Sequence, residues 1–367
     1  MDKLTLLREG LRRVRTAASE SAYVRSGVDL TAPAAIQGLV NERCNYACRY
    51  CHFWRLDRYA TELTLEEWQR ALASLRDFIG RYVIQFAGGE PFLKQGFVEL
   101  LAFCRREGID WGVITNGSAF RSEAVVAKVV AARPMNVDVS VDAADAPTHD
   151  HIRGAPGSLR ALEAGLALLR RERARGGRHF PIRITPTVSR LNVRALPALA
   201  DWAAEHADSI DFHPVHALPF WTDAMRRELW PDDEAIAALR EAVETLIAKQ
   251  ATGAPIETPA HKLRSFPEQF LGRRVQTGVA GPCRTGMRDY IITANGDVVV
   301  CWDYPPIGNV RRQGARQIWR GAQARAVRAR TIVCPKLGKE CANSCLDHRS
   351  LLQDVRRAVK LLARRAT

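Results

Sequence analysis

Apolar and polar positions along the chain follow two alternating periods. Segments rich in Val, Ile and Leu predict strands at 35–44, 82–90, 109–117, 136–143, 182–189 and 209–218. Between them, apolar residues recur three or four positions apart, which predicts helices at 64–79, 94–107, 121–132, 158–175 and 194–207. A threonine at the start of TLEEWQRALASLRDFI (64–79) can cap the first of these helices.

This alternation amounts to about six strand–helix units and predicts a parallel sheet covered by helices. We therefore expect an α/β fold whose main part is a partial (β/α)6 barrel, similar to a TIM barrel. Enzymes on such sheets place their sites at the carboxyl ends of the strands. Candidate residues at these ends are the cysteines of 44–51, Gly88 to Pro91, Thr115 to Gly117, Ser140, Asp142, Thr185, His213 and His216.

A different pattern follows the loop-rich stretch 252–270. Strand-forming residues at 291–293 and 298–300 flank Asn295-Gly296, which predicts a β-hairpin, and a helix containing Ile318 and Trp319 comes next. The chain is thus expected to have five parts. They are a basic helical segment (1–35), the barrel (36–220), a helical linker (221–275), a smaller hairpin-plus-helix extension (276–350) and a basic helix (351–367).

Composition describes a soluble globular protein. Its 367 residues are 47% apolar and 26% charged, enough to bury a large core. The apolar run near the N-terminus, LTLLREGLRRV, contains four charged residues, so we expect neither a signal peptide nor a membrane span. The expected location is the cytoplasm.

The formal net charge of +14 invites a nucleic-acid or anionic-membrane partner. However, the excess is spread over arginine-rich helical stretches near the N-terminus, at 316–330 and at 354–367, with few interleaved aromatic residues. A solvated, arginine-rich surface explains this pattern better. A nucleic-acid or membrane partner therefore remains possible but is not favoured.

The nine cysteines are unevenly spaced, which in a reducing compartment indicates metal ligands or spare thiols rather than disulfides. Cys44, Cys48 and Cys51 fall within eight residues. A closed structural zinc site normally takes four protein ligands, whereas three cysteines on a four-iron cubane leave one iron open. The spacing alone also allows a zinc site completed by His52 or a distant residue, or three reduced thiols.

Cys-x3-Cys-x2-Cys after the first strand, with Tyr50 before the last cysteine, resembles the signature of the radical S-adenosylmethionine superfamily. GGEP (88–91), TNG (115–117), SVD (140–142) and HDHIRG (149–154) are similar to later motifs of that family. The resemblance implies a 4Fe–4S cluster whose open iron binds S-adenosylmethionine. It also implies reductive cleavage to methionine and a 5′-deoxyadenosyl radical that abstracts a substrate hydrogen.

The resemblance further implies which residues meet the cofactor. Gly88, Gly89 and Glu90 would line its methionine end, Ser140 and Arg153 would hold ribose and carboxylate, and Tyr50 would meet the adenine. Thr115, Asn116 and Asp142 are further candidate cofactor contacts. An arginine can hold a carboxylate through two charge-assisted hydrogen bonds. The alternative for Arg153 is a surface salt bridge to Asp150.

A second cysteine group accompanies the predicted hairpin. Cys283 and Cys301 flank it, and Cys334, Cys341 and Cys345 follow the tryptophan-containing helix. This order resembles the SPASM/Twitch extension and implies an auxiliary iron–sulfur cluster. Five cysteines fill only one four-ligand cluster, so we expect Cys283, Cys301, Cys341 and Cys345 as ligands, with Cys334 as the competing fourth. A zinc ribbon is the alternative, as is a non-enzymatic zinc-bound interaction protein.

An auxiliary cluster held entirely by protein suggests electron transfer. We therefore expect oxidation or epimerisation of a small polyhydroxylated, possibly aminated, molecule, with flavodoxin or ferredoxin as the external electron donor. A peptide-modifying enzyme is the alternative, and a nucleic-acid- or lipid-modifying enzyme a more distant one. The expected catalytic residues, as proton carriers or substrate contacts, are His213, His216, Asp303 and Tyr304.

Overall fold

The computed structural model describes residues 3–56, 61–177, 179–217, 220–273 and 282–336. The first part contains α1 (Lys3–Ser26), β1 (Ala35–Leu39), α2 (Leu65–Ile79), β2 (Val83–Ala87), α3 (Phe97–Arg106), β3 (Asp110–Thr115), α4 (Glu123–Ala131), β4 (Asn136–Val139), α5 (Ala146–Arg153), α6 (Ser158–Arg175), β5 (Ile182–Ile184), β6 (Thr187–Val188), α7 (Leu196–His206), β7 (Ser209–Ile210) and β8 (His213–Pro214). The second contains α8 (Asp223–Leu229), α9 (Asp233–Ala251), α10 (Ala260–Leu263), α11 (Ser265–Phe270), α12 (Thr285–Arg288), β9 (Asp289–Ile292), β10 (Asp297–Val299), β11 (Gly308–Asn309), α13 (Ala315–Arg320) and α14 (Ala322–Ile332).

The main sheet confirms the predicted α/β barrel-like fold. Strands β1, β2, β3, β4, β5 and β7 are neighbours in chain order, and all of these pairs are parallel. Right-handed crossovers that always step in the same direction place every connecting helix on one face of the sheet. The sheet therefore curves around its other face, which becomes the inside of a partial barrel.

The two faces of this sheet differ in character. Residues that point toward the helices, such as Phe86, Val113 and Ile184, are completely buried. The alternate positions point into the barrel and are partly exposed, as Gln85 and Arg183 are. Because side chains alternate along a strand, one apolar face forms the core and the other forms a polar inner wall.

The predicted hairpin extends the sheet at its other edge. β9 pairs in parallel with β1, and β10 and β11 continue antiparallel, giving nine strands in the order β11-β10-β9-β1-β2-β3-β4-β5-β7. Gly296 has φ 88° in the connecting turn, a left-handed conformation that suits glycine. These strands and the helices that follow confirm the predicted hairpin-plus-helix extension.

Local sequence explains the best-predicted helix and the one that was missed. At the start of α2, Thr64 accepts a hydrogen bond from the Glu67 N–H, and the Glu67 carboxylate accepts one from the Thr64 N–H, forming a capping box. Helix α5 was not predicted, because apolar residues do not recur at helical spacing in its sequence, APTHDHIR. It is started by Asp145, whose side chain accepts a hydrogen bond from the Thr148 N–H at 2.8 Å.

The stretch 252–270, expected to be loop-rich, contains the short helices α10 and α11. Helices of four and six residues are too short to show an apolar period. The predicted C-terminal helix 351–367 lies outside the described residues, and the boundaries of the five expected parts remain predictions. Among the described helices, none has the length and apolar character needed to cross a membrane.

Candidate active site

The first cysteine loop lies at the carboxyl end of β1. Cys48 is buried, whereas Cys44 and Cys51 are partly exposed. Burial raises the pKa of Cys44 to about 12 and that of Cys51 to about 11. Thiols in this loop therefore stay protonated without a metal, and metal coordination would remove the proton. None of the seven cysteines in the described ranges forms a disulfide.

Two glycines bring this loop against the end of β2. The Gly89 N–H donates to the Asn41 carbonyl at 3.0 Å, and the Glu90 N–H donates to the Arg43 carbonyl at 2.7 Å. A Cβ atom at Gly89 would lie 2.0 Å from the Arg43 carbonyl oxygen, and one at Gly88 would lie 2.4 Å from that of Asn41. Only glycine permits this approach, so the GGEP motif fixes the position of the cysteine loop.

Glu90 joins the ends of β2 and β3. Its buried carboxylate accepts hydrogen bonds from Thr115 Oγ1 at 2.7 Å and from the Asn116 N–H at 2.8 Å. Burial raises the pKa of Glu90 to about 7 in spite of these bonds. Asn116 Nδ2 in turn donates to Asn45 Oδ1 at 2.9 Å and lies 3.9 Å from Cys44 Sγ. The GGEP, TNG and cysteine motifs therefore form one connected unit.

Asp142 and Arg153 form a buried ion pair beside the cysteines. Arg153 Nε lies 2.8 Å from Asp142 Oδ2, and its Nη1 lies 3.9 Å from Cys48 Sγ. Asp142 also accepts hydrogen bonds from Tyr50 Oη at 3.1 Å and from the Thr187 N–H at 2.8 Å. Burial raises the pKa of Asp142, and Arg153 and the Thr187 N–H counter that rise. Asp142 thus anchors both Arg153 and Tyr50.

Asp150, the alternative partner of Arg153, binds other groups. Asp150 accepts hydrogen bonds from the N–H groups of Gly157 and Leu159 and from Ser158 Oγ, at 2.5, 3.0 and 2.7 Å. It thereby holds the start of α6, so a surface salt bridge does not account for Arg153. His149, from the same HDHIRG motif, is buried, and its Nδ1 accepts a hydrogen bond from the Asp142 N–H at 3.3 Å.

The arrangement fits the cofactors that the sequence implies. Nη2 of Arg153 is buried and has no hydrogen-bond partner among the described residues, which suits an acceptor oxygen such as a carboxylate. No three His, Cys, Asp or Glu side chains in the described ranges are placed to hold a single metal ion. A 4Fe–4S cluster has a different requirement, because each thiolate binds a separate iron. Ser140, at the end of β4, is partly exposed on the inner wall.

His213 lies next to this cluster of residues. It pairs in register with Thr187 of β6, whose N–H binds Asp142. His213 Nε2 lies 3.5 Å from Asp211 Oδ2, and Asp211 accepts a hydrogen bond from Thr258 Oγ1 at 2.7 Å. These contacts hold the pKa of Asp211 well below its usual range despite its burial. Sequence reasoning named His213 as a candidate but did not name Asp211, its carboxylate partner.

A polar network covers the inner wall below these residues, and sequence reasoning missed it. Asp138 accepts hydrogen bonds from Gln85 Nε2 at 3.3 Å and from Arg183 Nη2 at 2.7 Å. Arg183 Nη1 also reaches Glu257 Oε2 at 3.3 Å. A Cβ atom at Gly112 would lie 2.3 Å from Gln85 Oε1, so the glycine leaves room for the network. Polar residues at alternate positions of otherwise apolar strands were the available signal.

The remaining predicted catalytic residues contact other parts of the chain. His216 Nδ1 lies 3.3 Å from Gln269 Nε2. Asp303 Oδ1 lies 2.6 Å from Lys336 Nζ, and Tyr304 Oη donates to the Arg330 carbonyl at 3.2 Å. Burial and the neighbouring Cys334 raise the pKa of Tyr304 to about 12. Asp303 and Tyr304 are therefore held by the segment that carries Cys334.

The auxiliary-cluster cysteines are described in part. Cys283 and Cys301 are buried, and Cys334 is partly exposed. Cys341 and Cys345 lie outside the described residues, so the expected set of four ligands remains a prediction.

Comparison with known proteins agrees with both resemblances found in the sequence, to the radical S-adenosylmethionine superfamily and to the SPASM/Twitch extension. The family model of the radical SAM superfamily matches residues 39–203, and that of the SPASM iron–sulfur cluster-binding domain matches residues 283–346. The AdoMet-dependent heme synthase of Methanosarcina barkeri is 28% identical over 305 residues, covering 80% of this chain and 83% of that protein. The PqqA peptide cyclase of Xanthomonas campestris pv. campestris is 28% identical over 330 residues, covering 86% and 81%.

Solved structures share the fold at low sequence identity. SuiB of Streptococcus suis bound to S-adenosylmethionine matches with a TM-score of 0.62 and 16% identity, over 84% of this chain and 71% of that chain. His-tagged anSMEcpe with bound AdoMet matches with a TM-score of 0.64 and 16% identity, over 82% and 81%. By the family models, residues 39–203 belong to the radical SAM superfamily and residues 283–346 to the SPASM iron–sulfur cluster-binding family, which together imply an enzyme that binds S-adenosylmethionine and 4Fe–4S clusters.

Proposed function

We propose that this enzyme oxidises a side chain of a peptide held inside the partial barrel. The observation that carries the proposal is the polar inner wall, where Gln85, Asp138 and Arg183 form one hydrogen-bonded network. Such a wall suits a polar substrate, because an apolar one would cover donors and acceptors without pairing them. A heme synthase is among the relatives, but the charged wall suits a peptide better than a largely apolar macrocycle.

The peptide class is supported by one group of relatives that cover most of the chain, the PqqA peptide cyclases. The identity to the PqqA peptide cyclase extends over 86% of this chain. This support reverses the order expected from the sequence, in which a small polyhydroxylated molecule came first. That molecule remains the second candidate, since the charged network of Asp138, Arg183 and Glu257 would also bind hydroxyl and amino groups.

In the proposed reaction, S-adenosylmethionine and the reduced cluster would, when bound, supply the radical chemistry that removes a hydrogen atom from the substrate. Arg153, oriented by Asp142, would hold the cofactor carboxylate through its unpaired Nη2. The backbone at Gly88 and Gly89 would receive the methionine end, Ser140 the ribose, and Tyr50 the adenine. Thr115 and Asn116 would keep this loop in place through Glu90, as their hydrogen bonds indicate.

His213 is proposed to take the proton that the oxidation releases. A substrate that has lost one hydrogen atom would complete a two-electron oxidation by losing one electron, which an auxiliary cluster would accept, and one proton, which a base would accept. His213 is half exposed, and Asp211 can orient its ring and stabilise the imidazolium. His213→Gln should then slow product formation while leaving the cofactor-cleavage step intact.

The test uses the anaerobically reconstituted protein with S-adenosylmethionine and a chemical reductant. Formation of 5′-deoxyadenosine is measured after adding either the small-peptide fraction or the metabolite fraction of the source cells. We expect only the peptide fraction to stimulate it and to yield a peptide lighter by two hydrogen atoms. Stimulation by the metabolite fraction alone would favour the second candidate. The Cys44/Cys48/Cys51→Ala variant is the control and should be inactive with both fractions.

The expected partners are proposed in the same way. Flavodoxin or ferredoxin would reduce the first cluster, and nucleic acid is not favoured. Arg320 and Arg328, from the basic stretch 316–330, are engaged by Asp29 rather than presented as a free basic face. A cytoplasmic location remains a prediction.

A further inference from the structure

We propose that Glu20 of α1 is a positioning residue for the auxiliary iron–sulfur cluster. Its carboxylate is completely buried, which is unusual for a charged group and requires strong pairing. Arg284 Nη1 lies 2.9 Å from Glu20 Oε2, and Arg288 Nε lies 2.7 Å from Oε1. Both arginines belong to the six residues that begin with Cys283. One carboxylate near the N-terminus thus binds the start of the SPASM segment twice.

A second set of contacts joins the same two regions, and we call residues 20–34 the N-terminal brace. Asp29 forms an ion pair with Arg328, which is itself buried. Trp319 Nε1 donates to the Thr31 carbonyl at 3.0 Å, and the Ala34 N–H donates to the Arg288 carbonyl at 2.7 Å. The brace therefore contacts α12, α13 and α14, all of which follow Cys283.

The segment that begins at Cys283 depends on this brace, because the segment has little regular structure of its own. Helix α12 has four residues, too few to be stable without tertiary contacts. It packs closely on α14, since a Cβ atom at Gly286 would lie 2.3 Å from Thr331 Oγ1. Arg328 Nε also donates to the Gly286 carbonyl at 3.0 Å. The backbone that follows Cys283 is thus fixed on one side by α14 and on the other by Glu20.

Removing the Glu20 charge would leave two partly buried guanidinium groups facing each other. Arg284 and Arg288 are 26% and 19% exposed, so water screens their repulsion only in part. The expected result is a shift of the backbone that follows Cys283 and loss of the auxiliary cluster. The first cluster, whose cysteines lie at the end of β1, should remain. This inference rests on the proposed assignment of Cys283 as an auxiliary-cluster ligand.

The experiment compares Glu20→Gln with wild type and with Cys283→Ala after anaerobic reconstitution of the full chain. Iron and sulfide content and electron paramagnetic resonance spectra are measured with and without S-adenosylmethionine. Wild type should bind about eight irons and Glu20→Gln about four, with the S-adenosylmethionine-responsive signal retained. Glu244→Gln is the matched control, because it removes the same charge from an exposed pair with Arg264 and should leave both clusters.

Three results would overturn the proposal. The first is a Glu20→Gln protein with the wild-type iron content and spectrum. The second is parallel loss of both clusters, which would indicate a general role in folding. The third is a Cys283→Ala protein that keeps both clusters, which would remove the proposed ligand itself. If Glu20→Gln does not fold, Arg284→Gln serves instead, because it leaves Glu20 paired with Arg288 and should selectively lower auxiliary-cluster content.

Discussion

Replacing Asp142 by asparagine tests whether this carboxylate anchors the cofactor site. The substitution preserves shape and removes one negative charge from a completely buried position. Asparagine can still accept a hydrogen bond from the Thr187 N–H, as Asp142 does at 2.8 Å. It cannot neutralise Arg153, whose Nε lies 2.8 Å from Asp142 Oδ2 and whose side chain is 6% exposed. The variant therefore contains an uncompensated buried guanidinium.

The size of the effect follows from that unpaired charge. Removing one partner of a buried ion pair destabilises proteins by about 3–5 kcal/mol. We therefore expect the free energy of unfolding of the cluster-free protein to fall by about that amount. The affinity for S-adenosylmethionine should also fall, by about tenfold or more, because 1.4 kcal/mol of lost orientation of Arg153 already accounts for a factor of ten.

Two measurements check this expectation. Urea denaturation of the cluster-free protein gives the free energy of unfolding without a contribution from cluster binding. Titration of the reconstituted protein with S-adenosylmethionine, followed by electron paramagnetic resonance, gives the affinity. Glu244→Gln is the control, since its exposed pair with Arg264 should contribute nothing measurable. A loss below about 1 kcal/mol together with unchanged affinity would refute the anchoring role.

Three further predictions follow from packing and protonation. Gly89→Ala should lower the iron content and abolish the S-adenosylmethionine-responsive signal, since its Cβ would lie 2.0 Å from the Arg43 carbonyl oxygen; a wild-type spectrum would contradict this. Burial lowers the pKa of His149 to about 3, so below pH 6.5 the unfolded chain takes up a proton at this histidine before the folded chain does, and the free energy of unfolding falls. In urea denaturation, His149→Gln should reduce the slope of the free energy of unfolding against pH by about 1.4 kcal/mol per pH unit in this range. An unchanged slope would contradict this prediction. Cys104→Ala should leave the iron content unchanged, because Cys104 is buried on the apolar face of α3; loss of iron would contradict it.

Local sequence was sufficient for most elements of the barrel. The helix predicted at 64–79 is Leu65–Ile79, and each of the first four predicted strands contains one shorter observed strand. Caps and apolar periods depend on residues within one or two turns, so they can be found in sequence. The strand predicted at 182–189 instead divides into β5 and β6 around Pro186, which has no N–H for the ladder.

The cofactor motifs were also recognisable in sequence, because their spacing lies within short loops. Cys44, Cys48 and Cys51 come from one loop, and the GGEP and TNG motifs come from two strand ends. What spacing did not reveal is why the motifs hold together. The Gly89 contact with Arg43 and the Glu90 contacts with Thr115 and Asn116 join segments that are distant in sequence.

The sequence by itself determined the period of each element, the cysteine spacing and the presence of two cofactor regions, because these depend on near neighbours. Only the tertiary structure decided the pairing of charges. Arg153 pairs with Asp142 rather than Asp150, and Glu20 binds Arg284 across 264 positions. Many carboxylates are available to each arginine in sequence. The fold brings one of these carboxylates next to the arginine at a buried position. There the low dielectric strengthens the ion pair, and leaving either charge desolvated and unpaired would be costly.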